Sequence, residues 1–327
     1  MTIRRDFLLG GISAGLSCAS SSVWAQGVNW PEAPIKITVP FAAGNASDLL
    51  TRMVGERLQA KFGQSVVVEN KLGANGMIGM EAVRSAKPDG YSIASATIGT
   101  LSINQFLYKK MPHDPETDFA YATMIWENCN VFMVSPSHPA KTLQELIAWS
   151  RTQPKGASIG SSAIGSSPYL ASVLFKARTG IPATVVPFPG GAQSLMALMA
   201  GDTDFAIDNI ASALTLIRAG KVRALAVTSK DRWPTLPDVP TTAESGIKDF
   251  ILTSWGALVM PKETPAAIVN KVSAAVQEMA LDADLQQKFM DKGAKLIAST
   301  PAQTQAFAAS ERVKWREAVQ VSGAKLD

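Results

Sequence analysis

The sequence predicts an α/β protein of two lobes with a cleft between them, and three observations lead there. Apolar β-type runs alternate with helix-type runs along most of the chain, the pattern of parallel strands covered by helices. Of the 327 residues, 46% are hydrophobic and 18% charged, and the mean hydropathy is +0.10, so the chain can bury a large core and is not a disordered protein. The alternation comes in two series, and the length suits one large domain or two modest ones.

The first 25 residues stand apart as a targeting segment. Arg4 and Arg5 form its charged start, Phe7 to Ser17 is apolar and small, and Val23-Trp24-Ala25 offers a cleavage site before Gln26. The order Thr2-Ile3-Arg4-Arg5-Asp6-Phe7-Leu8 looks like a twin-arginine export signal, with general secretion as the alternative. Its removal takes Cys18 and leaves Cys129 without a partner, so no intrachain disulfide is expected. No later apolar run reaches the roughly 18 residues of a membrane span, and the mature chain is expected to be soluble.

Ile37 to Phe41 reads as the first strand, followed by a small-residue loop and a helix from about Asp48 to Phe62 that Gly63 ends. In that helix Leu50, Met53, Val54, Leu58 and Phe62 keep the spacing of one buried face. Val66 to Glu69 is the next strand, then a glycine-rich loop, a helix through Ala82, and a strand over Tyr91 to Thr97. The second series starts at Val131 to Ser135 and continues with a helix whose opening, Thr142-Leu143-Gln144-Glu145, has capping-box spacing. Strands follow at Ser158 to Gly160, Thr184 to Phe188, Phe205 to Asp208 and Val222 to Thr228. A further β run, Trp255 to Met260, precedes helices opening at Thr264-Pro265 and Thr300-Pro301. The simplest path enters a second lobe near residue 128 and returns near 250. Lobe 1 is then 26–127 plus 250–327, and lobe 2 is 128–249.

Composition excludes several functions. The 31 basic and 27 acidic residues leave a net charge of +4 with no long basic run, so nucleic acid is not an expected partner. Two His and two Cys are too few for a zinc framework, and no metal is expected. Gly11-Ile12-Ser13-Ala14-Gly15 matches a nucleophile-elbow pattern but falls in the export segment. Gly160 and Gly165 have phosphate-loop spacing, yet Ser166 replaces the lysine that would reach the phosphates. Gly73, Gly76 and Gly79 recur every three residues, which suits turns and close packing better than a dinucleotide fingerprint. His113 and His138 sit beside turn residues and read as solvated loop positions.

What recurs is a strand running into a small, neutral loop and then a helix: Ala42 to Asp48, Ser161 to Ser167, and Pro189 to Gln193. Helix N-termini present unpaired N–H groups and a partial positive charge, so such loops hold an anion without Lys or Arg. Gly44, Gly190 and Gly191 would let the backbone come close to it. Every strand-to-helix connection favours small residues, so one such loop means little; three on the same edge of a sheet favour a carboxylate site.

The chain resembles the Bug-type substrate-binding proteins of tripartite tricarboxylate transporters. The resemblance rests on Val39-Pro40-Phe41-Ala42-Ala43-Gly44 with Asp48 and Arg52, on Glu69 to Gly79, and on Pro88-Asp89-Gly90-Tyr91 with Thr97, Gly99, Thr100 and Asn104. It continues through Asp114-Pro115 with Asp118-Phe119, Gly160 to Leu170, Pro187 to Gly191, Ala224 to Ser229 with Arg232, and Leu236 to Thr241 with Glu244. It implies a periplasmic, Venus-flytrap binding protein of type II-like fold that uses no cofactor and passes a small organic acid to membrane permease subunits. It also implies ligand-binding positions: Phe41, Ala42, Ala43, Gly44 and Asn45 in the first loop, then Pro189, Gly190, Gly191 and Ala192 after Phe188. Thr97, Ser161, Ser162 and Asp208 would line the rest, with Asp48 and Ser166 in the same loops. The sequence departs from the family's usual Pro-Gly-Gly in the first loop with Ala42-Ala43-Gly44, and has Tyr169 where histidine is common.

A carboxylate receptor is therefore expected, acting as a monomer, in preference to an exported enzyme. Asp48 or Asp208 could serve as a base if buried, but no nucleophile, base and orienting residue stand together. A co-receptor that reports to a sensor kinase shares the same sequence features. Phe41, Tyr169 and Phe188 flank the loops and Trp126 sits at the lobe boundary; these aromatics suit either core packing or a ligand wall. As a wall they favour an aromatic or short aliphatic acid over citrate, with Asp208 facing a hydroxyl, amine or water.

Overall fold

The computed structural model describes residues 29–326, and the export segment expected over 1–25 lies outside them. Strand β1 (Ile35–Val39) ends at Pro40, and the chain turns through an exposed loop into α1 (Ala46–Phe62). The helix starts two residues before the expected Asp48 because Asn45 caps it, its Oδ1 accepting the Asp48 N–H at 2.9 Å. Gly63, at φ 66°, closes the other end. Next come β2 (Val66–Asn70), α2 (Met77–Arg84) and β3 (Ser92–Thr97), with β2 and β3 parallel to β1 on its two sides. The glycines between β2 and α2 serve close packing: a Cβ on Gly79 would stand 2.8 Å from both Pro40 and the Lys71 carbonyl. A π-type turn over Gly99–Ile103 and the short α3 (Asn104–Leu107) complete this series.

Sixteen-residue β4 (Phe119–Val134) follows, where the sequence predicted a strand only over Val131 to Ser135. After it come α4 (Leu143–Arg151), β5 (Ala157–Ser161), α5 (Ser167–Thr179), β6 (Ala183–Pro187) and α6 (Gly191–Ala200). The chain continues through β7 (Phe205–Asn209), α7 (Ile210–Arg218), β8 (Arg223–Val227) and β9 (Thr253–Pro261). It ends with α8 (Ala266–Met279), α9 (Ala283–Asp291), β10 (Lys295–Leu296) and α10 (Pro301–Ser322), the last opened by a capping box between Thr300 and Gln303.

The molecule is a two-lobed periplasmic-binding-protein fold. Strand β5 is parallel to β6 and β7, as β1 is to β2 and β3, so each lobe has the expected parallel strands. Two strands correct an all-parallel expectation. Strand β4 is antiparallel to β9 over Phe119–Cys129 and antiparallel to β7 over Asn130–Val134. It therefore belongs to both groups of strands, and one hydrogen-bonded path, β2-β1-β3-β9-β4-β7-β5-β6, runs through the molecule. Nearly every residue of β4 and β9 is buried, so neither shows the one-sided alternation by which a strand is read from sequence.

Core residues gather around these crossing strands. Phe132, Phe175, Phe205 and Phe250 share one cluster with Trp255 and Trp315. Trp30, Ile37, Leu50 and Val54 pack with Val272 and Val276 of α8, and Val131, Leu195, Ile210 and Trp233 form a third cluster. The two histidines are not solvated as expected. His113 is buried with its ring edge-on to Phe119, and His138 accepts the Ala140 N–H while packing on Trp149. Burial holds both rings below the ordinary histidine pKa.

Candidate functional site

A cavity of about 250 Å³ lies where the C-terminal ends of β1, β3, β5 and β7 meet the crossing strands β4 and β9. The N-termini of α1, α5, α6 and α7 all reach it. Asn45, Ala46 and Ser47 come from α1, Ser166 to Pro168 from α5, Gly191 from α6, and Asn209 and Ser212 from α7. Among the described residues that line it, none is Asp, Glu, Lys, Arg or His. Any attraction for an anion must therefore come from orphan backbone N–H groups and helix dipoles, the means by which proteins bind small anions without a cation.

How the caps are satisfied decides which N–H groups face the cavity. In the first loop the Gly44 N–H donates to Asp48 Oδ2 at 2.8 Å, so it is taken by the protein itself. Asp48 also accepts from Arg52 Nη2 at 2.9 Å and Asn70 Nδ2 at 2.8 Å, and Asn70 donates to the Phe41 carbonyl at 3.0 Å. Burial pushes the Asp48 carboxyl up, but these donors together hold it below the ordinary aspartate range. Asp48 thus orders the loop, while Ala46 and Ser47 bring the open end of α1 to the cavity. At α6, the cap is Gly190, which offers no side chain to compete for the free N–H groups of Gly191 and Ala192. Asn209 caps α7 without a side-chain bond to it; its amide instead donates to Asn130 Oδ1 at 2.7 Å and Ser254 Oγ at 3.2 Å.

Asp208 sits directly behind this wall. It is 1% exposed and accepts the Ser162 hydroxyl at 2.8 and 2.9 Å and the Asn209 N–H at 2.8 Å. Burial pushes its carboxyl up to about 6 against the pull of those donors. Gly191 packs against it so tightly that a Cβ there would stand 2.7 Å from Asp208 Oδ1 and 2.5 Å from Ser212 Oγ. Three buried polar atoms of lining residues, Ser47 Oγ, Trp126 Nε1 and Asn128 Oδ1, have no hydrogen-bond partner among the described residues. Ser47 Oγ and Asn128 Oδ1 are thereby left able to take a partner from a ligand or solvent.

Of the residues the sequence singled out, Phe41, Asn45, Thr97, Ser162, Ser166 and Gly191 line the cavity. Asp48, Ser161 and Asp208 are buried beside it, and Gly190 caps α6. Ala42, Ala43, Gly44, Pro189 and Ala192 are exposed, and Phe188 is half-buried, its N–H donating to the Ser161 carbonyl at 2.8 Å. Tyr169 faces a separate cavity with Lys176, Val321 and Ser322. Sequence reasoning missed Ser47, Asn75, Asn128, Asn209, Ser212 and Ser254 as lining residues. Asn209 was within reach, being a cap-type residue between an expected strand and an apolar helix; Asn128 and Ser254 come from the crossing strands and carry no local signal.

A larger groove of about 580 Å³ lies elsewhere, between Lys141 to Gln144 and Asp238 to Gly246. Its lining sets the carboxylates Asp238 and Glu244 against the single cation Lys141 and shares no residue with the cavity above.

Comparison with known proteins gives a consistent family. The family model described as "Tripartite tricarboxylate transporter family receptor" matches residues 50–323. The protein BugT of Bordetella pertussis is 31% identical over 320 residues, covering 98% of either chain. An R. palustris protein solved with adipate superposes with a TM-score of 0.83 at 33% identity, over 91% of this chain and 100% of that one. MatC from Rhodopseudomonas palustris, solved with bound malate, gives 0.76 at 29% identity, over 89% of this chain and 100% of that one.

Proposed function

The chain belongs to the tripartite tricarboxylate transporter receptor family, of the Bug type, and we propose that it is a periplasmic receptor that captures a small carboxylate and delivers it to the permease subunits of such a transporter. One observation carries this reading: helix N-termini from both sides of a cleft converge on a cavity with no ionisable residue among its described lining. An anion there meets donors that need no reorganisation, and their charge-assisted bonds offset the cost of leaving water. The lobes divide near residues 128 and 250, and ligand contacts to both favour the closed arrangement. Related proteins have been solved with adipate and with malate, both small carboxylic acids, which supports a ligand of that class.

The ligand is a compact monocarboxylate or dicarboxylate with an apolar or aromatic body. At about 250 Å³ the cavity is smaller than a drug-sized pocket, and it has no side-chain cation to balance the three charges of a tricarboxylate. Asp208 behind the wall adds repulsion to any second bare carboxylate placed against Ser162. A thermal-shift screen of organic acids tests the reading, because a ligand that binds only the folded state raises the melting temperature. A set of mono- and dicarboxylates that leaves the melting temperature unmoved at millimolar concentration would contradict it.

A further inference from the structure

Part of the cavity wall is apolar, and its largest side chain comes from the crossing strand β4 rather than from an anion loop. Trp126 and Asn128 lie two residues apart on β4, so they project from the same face of the strand, and both line the cavity. Opposite Trp126 in the antiparallel register stands Gly256 of β9. A Cβ at that position would come within 2.3 Å of indole Nε1, 2.4 Å of Cε2 and 2.8 Å of Cζ2. The indole edge therefore occupies the volume of the missing side chain, and the ring is seated by its neighbour strand. Phe41, Ile98, Ile103 and Pro168 are the other large apolar residues of the lining. The Trp126 ring is 4% exposed and is the largest side chain of the lining.

We infer that Trp126 is the specificity-determining residue of this site, its ring serving as the platform on which the hydrocarbon body of the carboxylate rests. This rests on the carboxylate-receptor reading above and adds a selection rule to it. An acid whose body is flat or purely hydrocarbon buries that surface against the ring at a gain. An acid carrying a hydroxyl or further carboxylate at the same place loses hydration there without an adequate partner. The ring then sets the order of preference, while the helix N-termini hold the carboxylate common to all ligands.

Calorimetric titration of benzoate and of malate into the wild-type protein, Trp126→Phe and Trp126→Leu tests this. Trp126→Leu is expected to weaken benzoate at least about tenfold while malate changes less than about threefold, and Trp126→Phe to keep most of the benzoate affinity. Gly256→Ala, which displaces the ring without removing it, is expected to shift the preference in the same direction. In wild-type protein labelled with 5-fluorotryptophan, the resonance missing from Trp126→Phe is expected to move when benzoate binds. Equal losses for both acids in Trp126→Leu, or an unmoved Trp126 resonance at saturating benzoate, overturn the assignment and leave the receptor reading standing. Failure of the wild-type protein to bind any carboxylate overturns both.

Discussion

Replacing Gly191 with alanine is the smallest change that attacks the anion wall. The new Cβ would stand 2.5 Å from Ser212 Oγ, 2.7 Å from Asp208 Oδ1 and 2.9 Å from Ser212 Cβ, where ordinary contacts begin at 3.4 Å. Ser212 Oγ relieves its own clash by rotating, but its Cβ does not, and Asp208 is pinned by Ser162 and the Asn209 N–H. The first turn of α6 must therefore withdraw by about half an ångström or more. A charge-assisted N–H···O bond of about 2.8 Å then lengthens past the roughly 3.2 Å at which such bonds weaken. Hydrogen bonds to a charged group are worth about 1.5–3 kcal/mol, so carboxylate affinity falls at least about tenfold. Overpacking also costs about 1–3 kcal/mol of stability, which a melting curve separates from the binding loss. Calorimetry on Gly191→Ala, and on the same variant with Ser212→Gly, reads the effect: the second change removes two of the three contacts and restores part of the affinity. Wild-type affinity in a folded Gly191→Ala protein would show that the anion does not approach this backbone.

Asp208 makes stability fall as pH rises. Its folded carboxyl titrates near 6 against an ordinary value of 3.8, so the folded state binds the extra proton between these values and loses stability as pH climbs through them. Relative to Asp208→Asn, the unfolding free energy of the wild type from urea titration should drop by up to about 3 kcal/mol between about pH 4 and about pH 6 and stay level outside that window. Asp48 has the opposite sign: its lowered pKa gives stability that is present above the ordinary carboxylate range and lost as pH falls through the folded value, so Asp48→Asn should flatten the acid limb of the same titration. Asn70→Ala, which removes donors to Asp48 and to the Phe41 carbonyl, should weaken carboxylate binding by freeing the first loop, with little change if that loop is irrelevant to the ligand. Thr300→Ala breaks the capping box of α10 and should cost about 1 kcal/mol in chemical denaturation without altering ligand affinity.

The loops were legible because their chemistry is local. Phe41 to Asn45, Ser162 with Ser166, and Gly190 with Gly191 each stand between a recognisable strand and a recognisable helix, and small residues there have a stated reason. The crossing strands were not. Thr123, Glu127, Asn128 and Asn130 interrupt the apolar run of β4, and the burial of Asn128 and Asn130 depends on partners more than a hundred residues away, such as Ser254 and Leu252. His113 looked solvated beside Asp114-Pro115, yet the same turn folds it onto Phe119. Asp48 showed its helix position in the sequence but not its task, because Asn70 reaches it only through the paired β1 and β2.

Paired titration of an acid and its uncharged amide tests the anion wall most directly, with benzoate against benzamide as the first pair. The two share a shape and an apolar body, and differ in the charge that the helix N-termini are placed to hold. Benzoate should bind at one site, and benzamide at least about tenfold more weakly, since each charge-assisted bond lost removes about 1.5–3 kcal/mol. Equal affinities for the pair would contradict a cavity built to recognise carboxylate.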